Sequence, residues 1–251
     1  MISKAKLKLI TALRSKKQRQ KYHIFSAEGT KIIHEIIQQA PLSIHSIYAL
    51  PTWLSENHTK LHFLNPEQII EITEPELQSI SSLVTPNQVL ALIKYNPTQL
   101  NPTTTPIQPN IHLVLDNIQD PGNLGTIWRI ADWFAIPNIF CSPNCADPYN
   151  TKTIQASMGA FLRVNIYEIP PPQLFQAHPN IPILGATLQG TNLFQTTPPP
   201  TAFVVIGNES TGISPDILPL LTHRITIPAK GGAESLNAAV ATGIICAHLT
   251  Q

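Results

Sequence analysis

Three almost wholly apolar runs in the second half of the chain each stop at a cluster of Gly, Asn and other polar residues, and this pattern restricts the fold more than any other feature. The segments are LVLDNIQDPGNLGTIWR (113–129), FVVIGNESTGIS (203–214) and ITIPAKGGAESLNAAVA (225–241). Runs as apolar as FVVI (203–206) fit strands covered on both faces, and hence a parallel sheet flanked by helices. In such a sheet the loops leaving the carboxyl ends of the strands converge on one crevice, so segments distant in sequence share a pocket.

The alternation extends over the whole chain. A basic helix over about 4–20 precedes strand 22–28, helix 29–39, strand 43–50, strand 67–72, helix 74–81 and strand 88–94, the pattern of a small layered α/β module. The uncharged stretch NPTQLNPTTTPIQPN (96–110), with four prolines, then breaks both periodicities in the manner of an extended linker. The expected organisation is a first α/β domain over 1–97, a Pro-rich linker over 98–110 and a second α/β domain over 111–251. In the second domain strands are expected near 111–116, 137–141, 163–169, 181–187, 202–206 and 223–228, with helices near 123–135, 151–159, 172–177, 214–221 and 235–249. Ile127, Ile130, Ala131 and Phe134 make the buried stripe of the first of these helices, with Asn123 as its cap and Arg129 off the stripe. In the last helix Leu236, Val240, Ile244 and Ala247 make the stripe, with Ser235 as the cap.

A chain of 251 residues can bury a core without disulfide or metal staples. Its three cysteines, Cys141, Cys145 and Cys246, lack CxxC spacing, and no His follows at ligand spacing; buried thiols in a reducing compartment are expected, with no metal. No signal core opens the chain and no apolar run approaches the roughly 18 to 20 residues that span a bilayer, so a cytoplasmic protein without a membrane partner is expected. Net charge is +1, yet nine of the sixteen Lys and Arg fall in the first 31 residues (Lys4, Lys6, Lys8, Arg14, Lys16, Lys17, Arg19, Lys21, Lys31) against Glu28 alone. A field of that sign suits nucleic acid, with a merely solvated helix face as the alternative.

The three loops offer particular chemistry. Pro121 and Gly122 turn the chain, and the free N–H groups of the helix opened by Asn123 can meet an anion such as an RNA phosphate. Arg129 is either a surface residue or a permanent planar cation projecting into the crevice. Gly207 at a strand end lets a ligand approach backbone, and Glu209 follows in a turn closed by Gly212. Ser210 and Gly212 have the spacing found in a nucleophile elbow, but position 208 is Asn rather than Gly and no His is placed as its base, so a hydrolase is rejected. Lys230 precedes Gly231 and Gly232 rather than following them, which excludes a Walker A loop, and GxGxxG is absent, which counts against a nicotinamide-dependent dehydrogenase.

Taken together, DNIQDPGNLGTIWRIAD, VVIGNESTGIS and ITIPAKGGAESLNAAVA resemble the three ordered motifs of the SpoU/TrmH branch of the SPOUT RNA 2'-O-ribose methyltransferases. The spacing of Asn123 to Arg129, Glu209 just after Gly207, and the Ser-Leu-Asn run at 235–237 carry the resemblance, which covers 111–251. More weakly, FSAEGTKIIHEII (25–37) is similar to the substrate-binding domain that many members carry ahead of the catalytic one. The sequence departs from the usual motifs at Asn208, Ala229, Ala238 and Ala239, none of them a catalytic position.

The resemblance implies a SPOUT domain with a parallel sheet and a deep trefoil knot, preceded by a small α/β RNA-binding domain. It implies a homodimer that uses S-adenosylmethionine and no metal to methylate a ribose 2'-hydroxyl in RNA, ribosomal RNA ahead of tRNA. It implies a catalytic group of Asn123, Arg129, Glu209, Ser235 and Asn237, and a cofactor site of Thr187, Gly190, Ile206, Gly207, Ile227 and Leu236. A guanidinium holds its proton tenaciously, so Arg129 is expected to gather the hydroxyl and adjacent phosphate and to stabilise developing alkoxide. The proton then leaves to phosphate, water or a transiently neutral Arg. The rival from another class is a non-catalytic RNA-binding or ribosome-assembly protein that retains the fold.

Overall fold

The structure, a computed structural model, describes residues 2–96 and 101–251. It divides into two compact units, Met1–Gln99 with Tyr149–Leu162, and Leu100–Pro148 with Arg163–Gln251. Positions 98–100 of the expected linker lie outside the described residues.

The first unit runs α1 (Lys4–Ala12), α2 (Lys16–Tyr22), β1 (Ile24–Glu28), α3 (Thr30–Gln39), β2 (Ile44–Ala49), α4 (Pro51–Asn57), β3 (Ile69–Glu71), α5 (Glu74–Ile80) and β4 (Val89–Lys94). Its sheet has the order β1-β4-β2-β3, with β4 antiparallel to β1 and β2, and β3 parallel to β2. Strand alternation sorts the side chains to two cores. Val89, Ala91 and Ile93 meet Ile33 and Ile36 of α3, whereas Leu90 and Leu92 meet Ile10 and Leu13 near the amino terminus and Leu77 of α5.

Two expectations are corrected here. The basic opening is two helices rather than one, and two of its cations are internal ties: buried Arg19 donates to the carbonyls of Leu13 and Arg14 at 2.7 and 2.9 Å, and Arg14 reaches those of Ser79 and Ser81 at 3.4 and 3.3 Å. Arg19 thus caps the turn between the helices, and the outward charge is carried by lysines, with Lys4, Lys8, Lys17, Lys21 and Lys31 exposed. Secondly, α7 (Thr151–Ser157), expected within the second domain, belongs to the first unit. Ile154 joins the core around Phe25, Tyr149 stacks on Tyr95 at 3.9 Å, and Phe161 meets Phe25 edge-on, so apolar burial and aromatic contact decide where this segment packs.

The second unit carries β5 (Ile111–Leu115), α6 (Pro121–Trp133), β6 (Asn138–Cys141), β7 (Asn165–Glu168), α8 (Pro171–Ala177), β8 (Ile183–Asn192), β9 (Ala202–Ile206), β10 (His223–Thr226) and α9 (Ala238–Leu249). Its six strands lie in the order β10-β8-β9-β5-β6-β7, and all pairs are parallel, as the apolar runs require. The described part of the expected linker is docked on this unit. Ile107 packs on its core, and the carbonyls of Pro102 and Gln108 accept from His178 and His112. The helix expected over 214–221 is a single turn and a short 3-10 segment, Leu218–Leu220, because Pro219 has no N–H with which to continue an α-helix.

Both long helices are corrected in detail. Asp120, not Asn123, caps α6, accepting from the Asn123 N–H at 2.8 Å. Its stripe is Leu124, Ile127, Trp128 and Ala131, with Ile130 and Phe134 only half-buried and Arg129 exposed. Asn237, not Ser235, caps α9, accepting from Ala239 and Val240 at 3.0 and 3.2 Å. The face expected to be buried is turned outward: Val240 is 51 % exposed and Ala247 is exposed, while Thr242, Ile245, Cys246 and Leu249 are buried. Apart from His248, every residue of this helix is apolar or small enough for either side, so periodicity alone did not mark the core face.

Candidate functional site

The carboxyl ends of β5, β8, β9 and β10 and the start of α9 meet as the parallel sheet demands. A buried carboxylate stitches two of the loops. Asp116, at the end of β5, accepts from the Ser214 N–H at 2.6 Å and from Asn117 Nδ2 at 3.0 Å, and Asn117 Nδ2 also donates to Ser214 Oγ at 2.9 Å. Asn117 takes a left-handed backbone, φ 57°, a conformation its short amide tolerates, and its carbonyl accepts from Asn208 Nδ2 at 2.9 Å. Asn208 Oδ1 in turn accepts from the N–H groups of Ser210 and Thr211, so the residue that departs from the family motif is the brace of its loop. Sequence reasoning missed Asp116 and Asn117; an Asp-Asn pair at the end of an apolar strand was the available signal.

Beside this brace lies a cavity of about 650 Å³, the size of a small-molecule site, lined by Ala186–Leu188, the 206–213 turn, residues 225–231 and 233–236, and the inner face of α9. Of the residues expected to hold the cofactor, Thr187, Ile206, Gly207, Ile227 and Leu236 line it, and Gly190 does not. Gly190 and Gly207 each have a structural reason as well. A Cβ on Gly190 would lie 2.6 Å from the Arg224 carbonyl oxygen where β10 crosses, and one on Gly207 would lie 2.3 Å from the backbone of Gly212. Gly207, which lines the cavity, also admits the return of its own loop.

At the edge of the cavity three side chains from three segments join. Asn123 Nδ2 donates to Glu209 Oε1, and Asn237 Nδ2 donates to Asn123 Oδ1 at 3.0 Å. Because Asp120 does the capping, the Asn123 amide is free to bridge, and because Asn237 uses its oxygen on α9, only its N–H₂ remains for Asn123. Glu209 and Ser235 line the cavity, while Asn123 and Asn237 line an adjoining shallow groove on α6 and α9. Arg129 lines neither and makes no hydrogen bond or ion pair with a described residue. It stands on the outer face of α6 with Thr126 and Trp133, the last 82 % exposed.

None of the three cysteines is in a disulfide. The Cys141 thiol, helped by Ser142, lowers the pKa of half-buried Cys145 to about 7, and burial pushes Cys246 up to about 12. Among the described residues no His, Cys, Asp and Glu cluster could hold a metal ion, and no helix is long and apolar enough to cross a membrane.

Known proteins share this architecture. Residues 110–247 match the SpoU rRNA methylase family, and residues 4–91 match the MRM3-like substrate binding domain. The 23S rRNA (guanosine(2553)-2'-O)-methyltransferase RlmP of Bacillus subtilis is 28% identical over 94% of this chain and 92% of its own length. A tRNA/rRNA methyltransferase of Synechocystis, itself uncharacterised, is also 28% identical, over 95% of this chain and 88% of its own. A TrmH-family protein of Porphyromonas gingivalis superposes with a TM-score of 0.84 at 32% identity, covering 99% of this chain and 98% of that one. The SpoU methyltransferase AviRb of Streptomyces viridochromogenes, solved with S-adenosylmethionine, superposes at 0.85 and 22% identity over 99% and 97%, a likeness of fold. With its family match spanning more than half of its length and its two units both matched, the chain belongs to the SpoU rRNA methylase family.

Proposed function

We propose that the protein is an RNA 2'-O-methyltransferase that moves a methyl group from S-adenosylmethionine to a ribose hydroxyl of ribosomal RNA. The observation that carries this reading is the chain Glu209–Asn123–Asn237 at the edge of a small-molecule cavity, drawn from all three motif segments. The names of the relatives support the ribosomal substrate. The cavity fits the donor in size and in charge, with apolar walls for an adenine and the carboxylates of Glu209 and Glu234 for a cationic ligand.

When bound, the donor supplies a methyl on sulfonium that needs only in-line approach by the ribose oxygen, so the residues of this chain have to position and to stabilise. Positioning is worth up to roughly 7 to 11 kcal/mol. Asn123 and Asn237 hold Glu209 and present amides at the cavity edge; Ser235 lies on the same lining. Arg129 gathers the RNA phosphate and the developing alkoxide. In one chain it lines neither the cavity nor the groove, which makes the second subunit part of the reading. Trp133, Ile130, Val240 and Ile244 leave an apolar surface around Arg129 on α6 and α9, and a second copy covering it would place one subunit's guanidinium toward the other's site. The 206–213 turn and the segment that follows β10 line one cavity, which is in keeping with the knotted path that the family resemblance implies. The exposed lysines of the first unit supply phosphate contacts, and the protein works in the cytoplasm. Mapping 2'-O-methyl positions in total RNA from cells with and without this gene tests the function. Loss of one ribosomal position is expected; an unchanged map would reject it.

A further inference from the structure

The cavity has an uneven distribution of charge. Among the described residues that line it, Glu209 and Glu234 are anionic and Lys230 is the one cation. Glu209 is already engaged by Asn123, whereas Lys230 has no hydrogen-bond or ion-pair partner among the described residues. Lys230 sits on the exposed turn after β10, and a Cβ on either of the next two residues, Gly231 and Gly232, would meet nothing within 4 Å. The turn is therefore free of steric demands from its own chain and can place the ammonium group over whatever occupies the cavity.

The methyl donor carries its own separated charges: a sulfonium and an ammonium, and a single carboxylate at the end of its methionine arm. In a cavity bearing two carboxylates, that third one is repelled and loses hydration unless a cation meets it. An RNA phosphate is the competing anion. The groove that adjoins the Asn123–Asn237 contact is lined by no charged residue, and Lys230 is not among its walls. Lys230 belongs to the lining of the donor cavity. We propose that Lys230 is the residue that binds the carboxylate of the donor's methionine arm, and so selects the complete amino-acid-bearing donor over truncated thioadenosines. The inference rests on the assignment of the cavity to the methyl donor.

The test is calorimetric titration of the full-length protein with S-adenosylhomocysteine, which has the carboxylate, and with methylthioadenosine, which lacks the amino-acid arm. Lys230→Ala is expected to weaken S-adenosylhomocysteine about five- to tenfold, the size of a charge-assisted contact discounted for its exposure, and to leave methylthioadenosine unchanged. Lys230→Arg is expected to restore most of the loss. Equal weakening of both ligands would overturn the proposal by making the effect one of loop structure. Unchanged affinity for both, with a raised KM for RNA, would overturn it in favour of a phosphate contact. If the wild-type protein bound neither ligand, the assignment of the cavity would fall and this inference with it.

Discussion

Asn237 does two things at once, and the two can be separated. Its oxygen caps α9 through the Ala239 and Val240 N–H groups, and its N–H₂ donates to Asn123. Asn237→Ala loses a cap, about 1 kcal/mol, and a largely exposed amide hydrogen bond, about 0.5 kcal/mol. For a chain of this size that sum of about 1.5 kcal/mol lowers the melting temperature by about 3 to 6 °C. Asn237→Asp keeps an excellent cap and adds a negative charge at a helix amino terminus, so its melting temperature is expected within about 2 °C of wild type. Yet Asp cannot donate to Asn123 Oδ1, and the bridge to Glu209 loosens. Methyl transfer into RNA is then expected to fall on the order of tenfold to a hundredfold, the effect of a small misplacement of reacting groups. Thermal unfolding by circular dichroism and transfer of labelled methyl give the two readouts. An Asp variant with wild-type turnover would refute the role given to the bridge, and an Ala variant with unchanged melting would refute the cap.

Further outcomes follow from the same geometry. Gly207→Ala drives a Cβ to 2.3 Å from backbone that cannot yield, and is expected to cost about 1 to 3 kcal/mol in urea unfolding and to weaken donor binding; a neutral result would mean the loop is looser than described. Arg129→Ala, outside the cavity lining, is expected to leave stability within about 0.5 kcal/mol and donor affinity unchanged while abolishing transfer; normal turnover would remove Arg129 from the mechanism. Trp133→Glu places a charge on the apolar face of α6 and is expected to give a monomer by analytical ultracentrifugation, whereas a persistent dimer would move the interface elsewhere. Cys145, with its pKa lowered to about 7, is expected to be carbamidomethylated at a rate that climbs through a midpoint near pH 7, and Cys246, at about 12 and buried, to stay unlabelled in the native protein. Equal labelling by mass spectrometry would contradict both shifts.

Strands were legible from the sequence because each side of the parallel sheet is covered and apolarity alone marks it. FVVI at 203–206 and IHLVL at 111–115 are fully buried where expected. Helix faces were less legible. The small and apolar residues that make up all of α9 but His248 gave no contrast, and by sequence either Ser235 or Asn237 could supply the cap with equal stereochemical sense. The composition of 151–157 matches either unit, and only the long-range contacts of Ile154 and Tyr149 with Phe25 place it. At the site, motif spacing picked out Asn123, Glu209 and Asn237 but not who bonds whom. That depends on Asp120 and Asp116, ordinary acids in sequence whose partners lie one turn or nearly a hundred residues away. Gly190 was placed in the cofactor site by the family resemblance alone, and the sequence does not show that the Arg224 backbone fills the space where its Cβ would be.

The most direct test of the account is the chemical identity of the product. Ribosomal RNA incubated with the protein and labelled S-adenosylmethionine, then digested to nucleosides and resolved by mass spectrometry, is expected to carry the label on a 2'-O-methylribose, with none transferred by the Arg129→Ala protein. Label on a base, or no transfer from the wild-type protein to any ribosomal RNA, would contradict it.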